Sequence, residues 1–204
     1  MDDDRHRGEV DLAKSESGWT AAQGEIEKIV AGQHPDPFGV LGLHQVGAEW
    51  EARAFVPHAD RLTAYSLDGS ELGTMERLHE GGFFVGRLTL NAQQPIRYHA
   101  ANEGGEWDVL DPYSFGPVLG PMDDYYIGEG SHLRLFDKLG AHFMTFEGVE
   151  GTHFAVWAPN ARAVNLTGEF CAWDTLRFPM QKQYDGIWEL RLPAREFDAN
   201  ADPQ

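Results

Sequence analysis

The stretch Phe154-Ala155-Val156-Trp157-Ala158-Pro159-Asn160-Ala161 decides the fold, because Phe55-Val56-Pro57-His58-Ala59 anticipates its second half. Pro57 and Pro159 align at an offset of 102 (159 − 57). Further on, Gly82-Phe83-Phe84-Val85-Gly86-Arg87-Leu88 aligns with Gly186-Ile187-Trp188-Glu189-Leu190-Arg191-Leu192 at an offset of 104 (186 − 82). Two inserted residues reconcile the blocks. In each half a strand ends at a Pro, which cannot donate to a sheet ladder. A polar turn follows with an Ala packed beneath it, and a later strand opened by Gly closes the core. The period is close to the ~100 residues of one immunoglobulin-like sandwich. The expected fold is mainly β: two tandem immunoglobulin-like β-sandwiches, the second truncated, with short connecting helices.

Working outward, turn residues and apolar runs predict strands over 50–56, 61–67, 83–90 and 96–101 in the first half. In the second half they predict strands over 143–146, 154–158, 163–167 and 187–192. Thr20 is the expected cap of a short helix carrying Ile26, Ile29 and Val30, with Gly32 as its stop. Ser131 is the expected cap of another, with Leu133, Leu135, Phe136 and Leu139 facing inward and Gly140 as its stop. The domains are then a disordered tail over 1–18, a β-sandwich over 19–110, a linker with a short helix over 111–140, and an incomplete module over 141–204.

Composition narrows the partners. Of 204 residues, 42% are hydrophobic, and twelve Phe, six Trp and six Tyr supply a core. The net charge of −17 comes with no basic cluster, so no nucleic acid and no anionic membrane surface is an expected partner. A neutral polymer needs no basic surface. The single cysteine, Cys171, allows no internal disulfide and no Cys-based zinc site, and a reducing cytoplasm is the natural setting. No signal peptide is expected at the start, and no run of 18 apolar residues is present.

The second half also carries family-specific residues. The stretch from Phe154 to Ala161, then Gly168-Glu169-Phe170-Cys171-Ala172-Trp173-Asp174, Pro179-Met180 and Gly186-Ile187-Trp188-Glu189-Leu190 resemble the glucan-binding module that precedes the catalytic barrel in branching and debranching enzymes. Two further segments resemble bacterial 1,4-α-glucan (glycogen) branching enzymes in particular. One is Gly32-Gln33-His34-Pro35-Asp36-Pro37-Phe38-Gly39-Val40-Leu41-Gly42. The other runs from Asp111-Pro112-Tyr113-Ser114-Phe115 through Gly128-Glu129-Gly130-Ser131-His132-Leu133 to Lys138-Leu139-Gly140-Ala141-His142.

The resemblance implies two β domains ahead of a (β/α)₈ barrel. In that family the barrel cleaves an α-1,4 linkage, holds the glucan on a carboxylate and transfers it to a 6-hydroxyl. That retaining chemistry needs a carboxylate nucleophile and a second carboxyl group. A barrel needs about 200–250 residues, so no catalytic residue is expected in this chain. The expected partner is an α-glucan such as glycogen, with a catalytic barrel in the intact enzyme. A free-standing glucan-binding or regulatory module, and a fragment of a debranching or trehalose-forming relative, are the alternatives. The chain's last ten residues depart from the Gly-rich turn that the family shows next, an ending of the kind a frameshift, a premature stop or a deliberate cut leaves. A second domain of 64 residues (141–204) is then two thirds of a sandwich and less stable than the first. Limited proteolysis is expected to cut after residue 140 first.

Trp173 is the candidate carbohydrate-binding residue, since a Trp face offers flat apolar surface to a glucose ring and the resemblance puts a sugar-stacking aromatic there. Trp157 and Trp188 lie within strands and read as core. The turn before Trp173 has Cys171-Ala172 where the family has an Asn-like residue, and Cys and Ala hold such a turn less well. The nine His lack metal-ligand spacing, so no metal and no cofactor is expected. Asp123-Asp124 reads as a solvated turn, and Gly128-Glu129-Gly130 as the entry to a helix. Cys171 has no basic neighbour in sequence to make it a reactive thiol.

Overall fold

The computed structural model describes residues 19–131, 133–171, 173, 178–183 and 186–194. The expected tail over 1–18 and the last ten residues lie outside them. The first domain opens with helix α1 (Gln23–Val30), followed by strands β1 (Gly42–Val46), β2 (Glu49–Phe55), β3 (Arg61–Ser66), β4 (Glu71–His79), β5 (Phe83–Leu88), β6 (Ile96–Asn102) and β7 (Gly105–Leu110). Their order in the sheet is β1-β2-β5-β4-β3-β6-β7, every pairing antiparallel.

Strand β4 lets this one sheet close over itself. Its first half pairs with β3 (Leu62 opposite Met75), and its second half pairs with β5 (Glu76 opposite Val85). Register shifts between Arg77 and His79 and between Ala64 and Tyr65 bend the sheet there. One buried cluster therefore draws Ala52, Ala54, Phe84 and Leu88 from one half, and Leu62, Ala64, Tyr98 and Ala100 from the other. These residues alternate along their strands, as the period of two requires. The other face of β5 is covered by α1, where Phe83 packs with Ile26 and Ile29.

The repeat seen in the sequence is a repeat of hydrogen bonds. The Val56 N–H donates to the Gly82 carbonyl at 2.8 Å, and the Ala158 N–H donates to the Gly186 carbonyl at 2.8 Å. Ala59 closes its turn onto Val56, and Ala161 closes its turn onto Ala158. Both glycines sit at positive φ, +99° and +80°. A Cβ on Gly82 would lie 2.5 Å from the Val56 oxygen, and one on Gly186 would lie 2.3 Å from the Pro159 Cα. Only Gly fits either position.

The second domain contains β8 (Gly140–Phe146), β9 (Val149–Trp157), β10 (Asn165–Leu166), β11 (Phe178–Pro179), β12 (Gln181–Lys182) and β13 (Ile187–Pro193). They form a four-stranded sheet in the order β12-β13-β9-β8 and a ribbon, β10-β11. Cys171, Phe178, Met180, Trp188, Leu190 and Leu192 make the core between them. Fully burying side chains of this size stabilises by roughly 1.5–3 kcal/mol each.

Trp188 is a core residue, 4% exposed, with its indole N–H donating to the Ala158 carbonyl at 3.0 Å. Trp157 is not: it is 59% exposed. The pairing gives the reason. Trp157 stands opposite Ile187, while Trp188 stands opposite Val156. The alternation of a strand therefore puts the two tryptophans on opposite faces, with Trp188 beside Leu190 and Leu192 in the core.

The connector corrects three further expectations. Its helix, α2, runs over Pro121–Gly128, ahead of Ser131. Pro121 presets the first helical φ, and the Asp123 carboxylate accepts from the Gly120 N–H at 3.2 Å. Asp123 also pairs with Lys138 at 3.2 Å, so it is a helix-start residue and not part of a solvated turn. The Gly128–Gly130 region is the helix exit. Gly130 has φ +66°, and the Ser131 N–H closes back onto the Tyr126 carbonyl at 2.9 Å. Residues 133–139 contain a single 3₁₀ turn, Leu135–Asp137, and Leu133 and Phe136 are 92% and 70% exposed rather than inward-facing.

At the amino end, Thr20 does not cap α1, whose N-cap is Ala22. Its hydroxyl instead donates to Glu51 at 2.8 Å and accepts from Arg53, covering a buried ion pair on β2. Gly32 does end the helix, at φ +65°. The exposed connector moves the expected first chymotrypsin cut from after residue 140 to between residues 122 and 143, where Met122, Tyr125, Leu133, Phe136 and Phe143 are all exposed. Sodium dodecyl sulfate gels of a time course would show this, and a first cut within 49–101 would contradict it.

Candidate functional site

The 3₁₀ turn Glu169–Cys171 links β10 towards Trp173 and β11. The Gly168 carbonyl is its hub. It accepts from the Cys171 N–H at 3.2 Å and from the Trp173 N–H at 2.9 Å. The Cys171 thiol donates to the same carbonyl at 3.3 Å and accepts from the Gly168 N–H at 3.4 Å. Cys171 thus bonds its own turn, the task for which the sequence alone favours Asn. Its sulfur is buried in the core beneath, 2% exposed. The small, soft side chain serves as core and turn anchor together.

This anchoring leaves Trp173 on the outside. Its φ is +60°, and it is 65% exposed. The hydrogen bonds of the turn hold this large apolar residue at the surface. Trp157 is exposed as well, on the opposite face of the β13-β9 pair from Trp188. Lys182 is exposed, with its ammonium 5.5 Å from the centre of the Trp188 ring.

A second polar cluster ties the connector to the second sheet. The buried carboxylate of Glu189 lies 3.1 Å from His153 Nε2 and accepts from the Leu119 N–H at 3.3 Å. Beside it the Arg191 guanidinium stacks 4.6 Å from the Phe115 ring centre. These partners read as structural fastening, invisible in the sequence because His153 and Leu119 are distant from Glu189 along the chain. The three buried carboxylates among the described residues are engaged separately: Glu51 with Arg53, Asp111 with Tyr98, and Glu189 with His153. No group of three or more His, Cys, Asp or Glu among the described residues is placed to hold a metal ion.

Comparison with known proteins follows the same division. Residues 22–113 match the family model of the N-terminal domain of alpha-1,4-glucan branching enzyme GlgB. Residues 138–202 match carbohydrate-binding module 48, the isoamylase N-terminal domain. The chain is similar to the GlgB amino-terminal domain over its first half and to carbohydrate-binding module 48 over its second. It is 56% identical over 185 residues to the 1,4-alpha-glucan branching enzyme GlgB of Mesorhizobium japonicum, covering 90% of this chain and 25% of that protein. It is 59% identical over 170 residues to the GlgB of Rhizobium meliloti, covering 83% of this chain and 23% of that protein. The GlgB of Agrobacterium fabrum is 52% identical over 170 residues, again with 83% of this chain and 23% of that protein covered. The chain thus spans about a quarter of the length of these GlgB relatives and matches their amino-terminal, non-catalytic part. Among the described residues no helix is long and apolar enough to cross a membrane.

Proposed function

We propose that this chain is the glucan-holding, non-catalytic part of a cytoplasmic branching enzyme of glycogen synthesis. In the intact enzyme a catalytic barrel transfers α-1,4 chains to 6-hydroxyls, and the two β domains hold the glucan for it. The domains of this reading are a β-sandwich over 19–110, a connector over 111–140 and a glucan-binding module from 141 onward. The observation that carries the proposal is the ring of Trp173, held outward on an anchored turn within the residues that match a carbohydrate-binding module. Neutral glucan also suits a surface whose net charge is −17, since it needs no basic patch.

The strength of the contact follows from area. Covering ~100 Å² of an indole face stabilises by roughly 2.5 kcal/mol at 25 cal/mol/Å². A millimolar complex already requires about 4.1 kcal/mol. One ring therefore holds a short oligosaccharide weakly, and a branched polymer offers the repeated contacts that raise apparent affinity. Calorimetric titration with maltoheptaose is expected to give a dissociation constant of about 1 mM or weaker. A micromolar constant would show that the area argument is wrong.

A further inference from the structure

A groove between the two β domains has a volume of about 920 Å³. That is within the range of roughly 300–1,000 Å³ typical of ligand sites. From the first domain it is walled by the half-buried rings of Phe55, Trp107 and Tyr113, and the buried core residues Phe178 and Trp188 of the second lie at its floor. Among the described residues no Asp, Glu, Lys or Arg lines it, although these four types make up 24% of the chain. In a protein of net charge −17 such an uncharged surface is a selective feature.

Gln33, His34 and His58 reach the groove from the first domain and Asn165 from β10; Gln33, His58 and Asn165 are exposed, while His34 is part-buried against the Glu25 carboxylate. Gln33 follows α1, and His58 sits at the tip of the Pro57 turn with φ +68°. Among the described lining residues no Lys or Arg meets an anion, and no carboxylate meets a cation. A purely apolar ligand would cover three hydrogen-bonding groups without replacing their water, at a cost of about 1–3 kcal/mol for each group left unsatisfied. A ligand with apolar faces and a hydroxyl rim meets both demands: its CH faces lie on the rings and its hydroxyls bond the amides and the imidazole.

We propose that this interdomain groove is a second carbohydrate site, separate from Trp173, that takes a neutral segment of α-1,4-linked glucan. The proposal rests on the glucan-binding reading given above. Because both domains line the groove, a bound chain bridges them. Occupancy then holds the first domain against the second, whereas stacking on Trp173 engages the second alone.

Hydrogen exchange of the full chain with and without maltoheptaose tests this. With ligand at about ten times its dissociation constant, exchange of segments 29–35 and 161–166 is expected to slow by up to roughly tenfold, alongside the 168–173 turn. In Trp173→Ala the turn loses its protection and the groove segments keep theirs. In Asn165→Trp, which fills the groove, the pattern inverts. Gln33→Ala, in the other domain, lowers groove protection several-fold and leaves the 168–173 turn unchanged, so the outcome does not depend on the fold of one variant. Protection confined to 168–173 would overturn the groove site and leave the Trp173 reading intact. Protection confined to the groove would overturn the Trp173 reading instead. Absence of protection at both would overturn the two together, and groove protection by an apolar peptide in place of the sugar would overturn the choice of ligand.

Discussion

Replacing Gly82 by Ala is expected to cost the first domain roughly 2–6 kcal/mol, the sum of backbone strain and forced overpacking. Gly82 has φ +99°, and its α-hydrogen faces the backbone of the Pro57 turn. The new methyl would lie 2.5 Å from the Val56 oxygen and 2.9 Å from the Pro57 Cα, both backbone atoms that cannot rotate aside. Relief requires moving β5 away from the turn, which breaks the bond between the Val56 N–H and the Gly82 carbonyl. The loss is comparable to the whole stability of a small domain, about 5–15 kcal/mol. Gly47→Ala is the control. Gly47 also has a positive φ, +65°, but nothing stands near its missing Cβ, so only the conformational cost of about 1–2 kcal/mol applies. Urea unfolding followed by circular dichroism separates the two. Equal losses in the two variants would mean that the close approach at Gly82 is not what demands glycine.

Asp111→Asn is expected to stabilise the first domain strongly at neutral and alkaline pH. Asp111 is buried at the end of β7, and burial pushes its carboxyl up from 3.8 to about 7, against the opposing hydrogen bonds from the Tyr113 N–H and the Tyr98 hydroxyl. Its folded state therefore binds a proton more tightly than its unfolded state does. Stability from this group is fully present below about pH 4, declines as pH rises, and is lost once pH passes about 7. A gap of about three pH units corresponds to about 4 kcal/mol. Asn keeps the oxygen that accepts from Tyr113 and carries no charge at any pH. The stability difference between Asp111→Asn and wild type should thus be small near pH 4, grow towards pH 7 and level off above it. Urea midpoints measured across that range decide the matter, and a flat difference would show that Asp111 is not titrating in the fold.

The pattern of what was readable in the sequence has a physical cause. The strands whose sequences alternate and are bounded by Pro or Gly, such as β2, β6 and β13, announce themselves locally. So do the two Pro turns, because the glycines that face them have no alternative. Strands β1, β4 and β7 do not, since Glu71–His79 and Gly105–Leu110 are polar and half-exposed and are held by pairing with distant strands. The connector helix went unread because its start signal is a carboxylate reaching back to a glycine N–H, and paired aspartates resemble a turn equally well. Trp157 and Trp188 carry the same local signal as strand residues, and only the register decides which one is core. The candidate site was legible in one residue, Trp173. The thiol that anchors its turn was not, because a Cys bonding its own loop has no compositional signature.

The measurement that bears most directly on the account is affinity electrophoresis of the full chain through gels with and without glycogen, comparing wild type with Trp173→Ala. Trp173 projects from the turn that Cys171 secures, so its loss should leave the fold intact and remove its contact with the polymer. Wild type is expected to be retarded by glycogen, and Trp173→Ala to lose most of that retardation while migrating like wild type in the plain gel. A Trp173→Ala protein retarded as strongly as wild type, or a wild type that glycogen does not slow at all, would contradict the account.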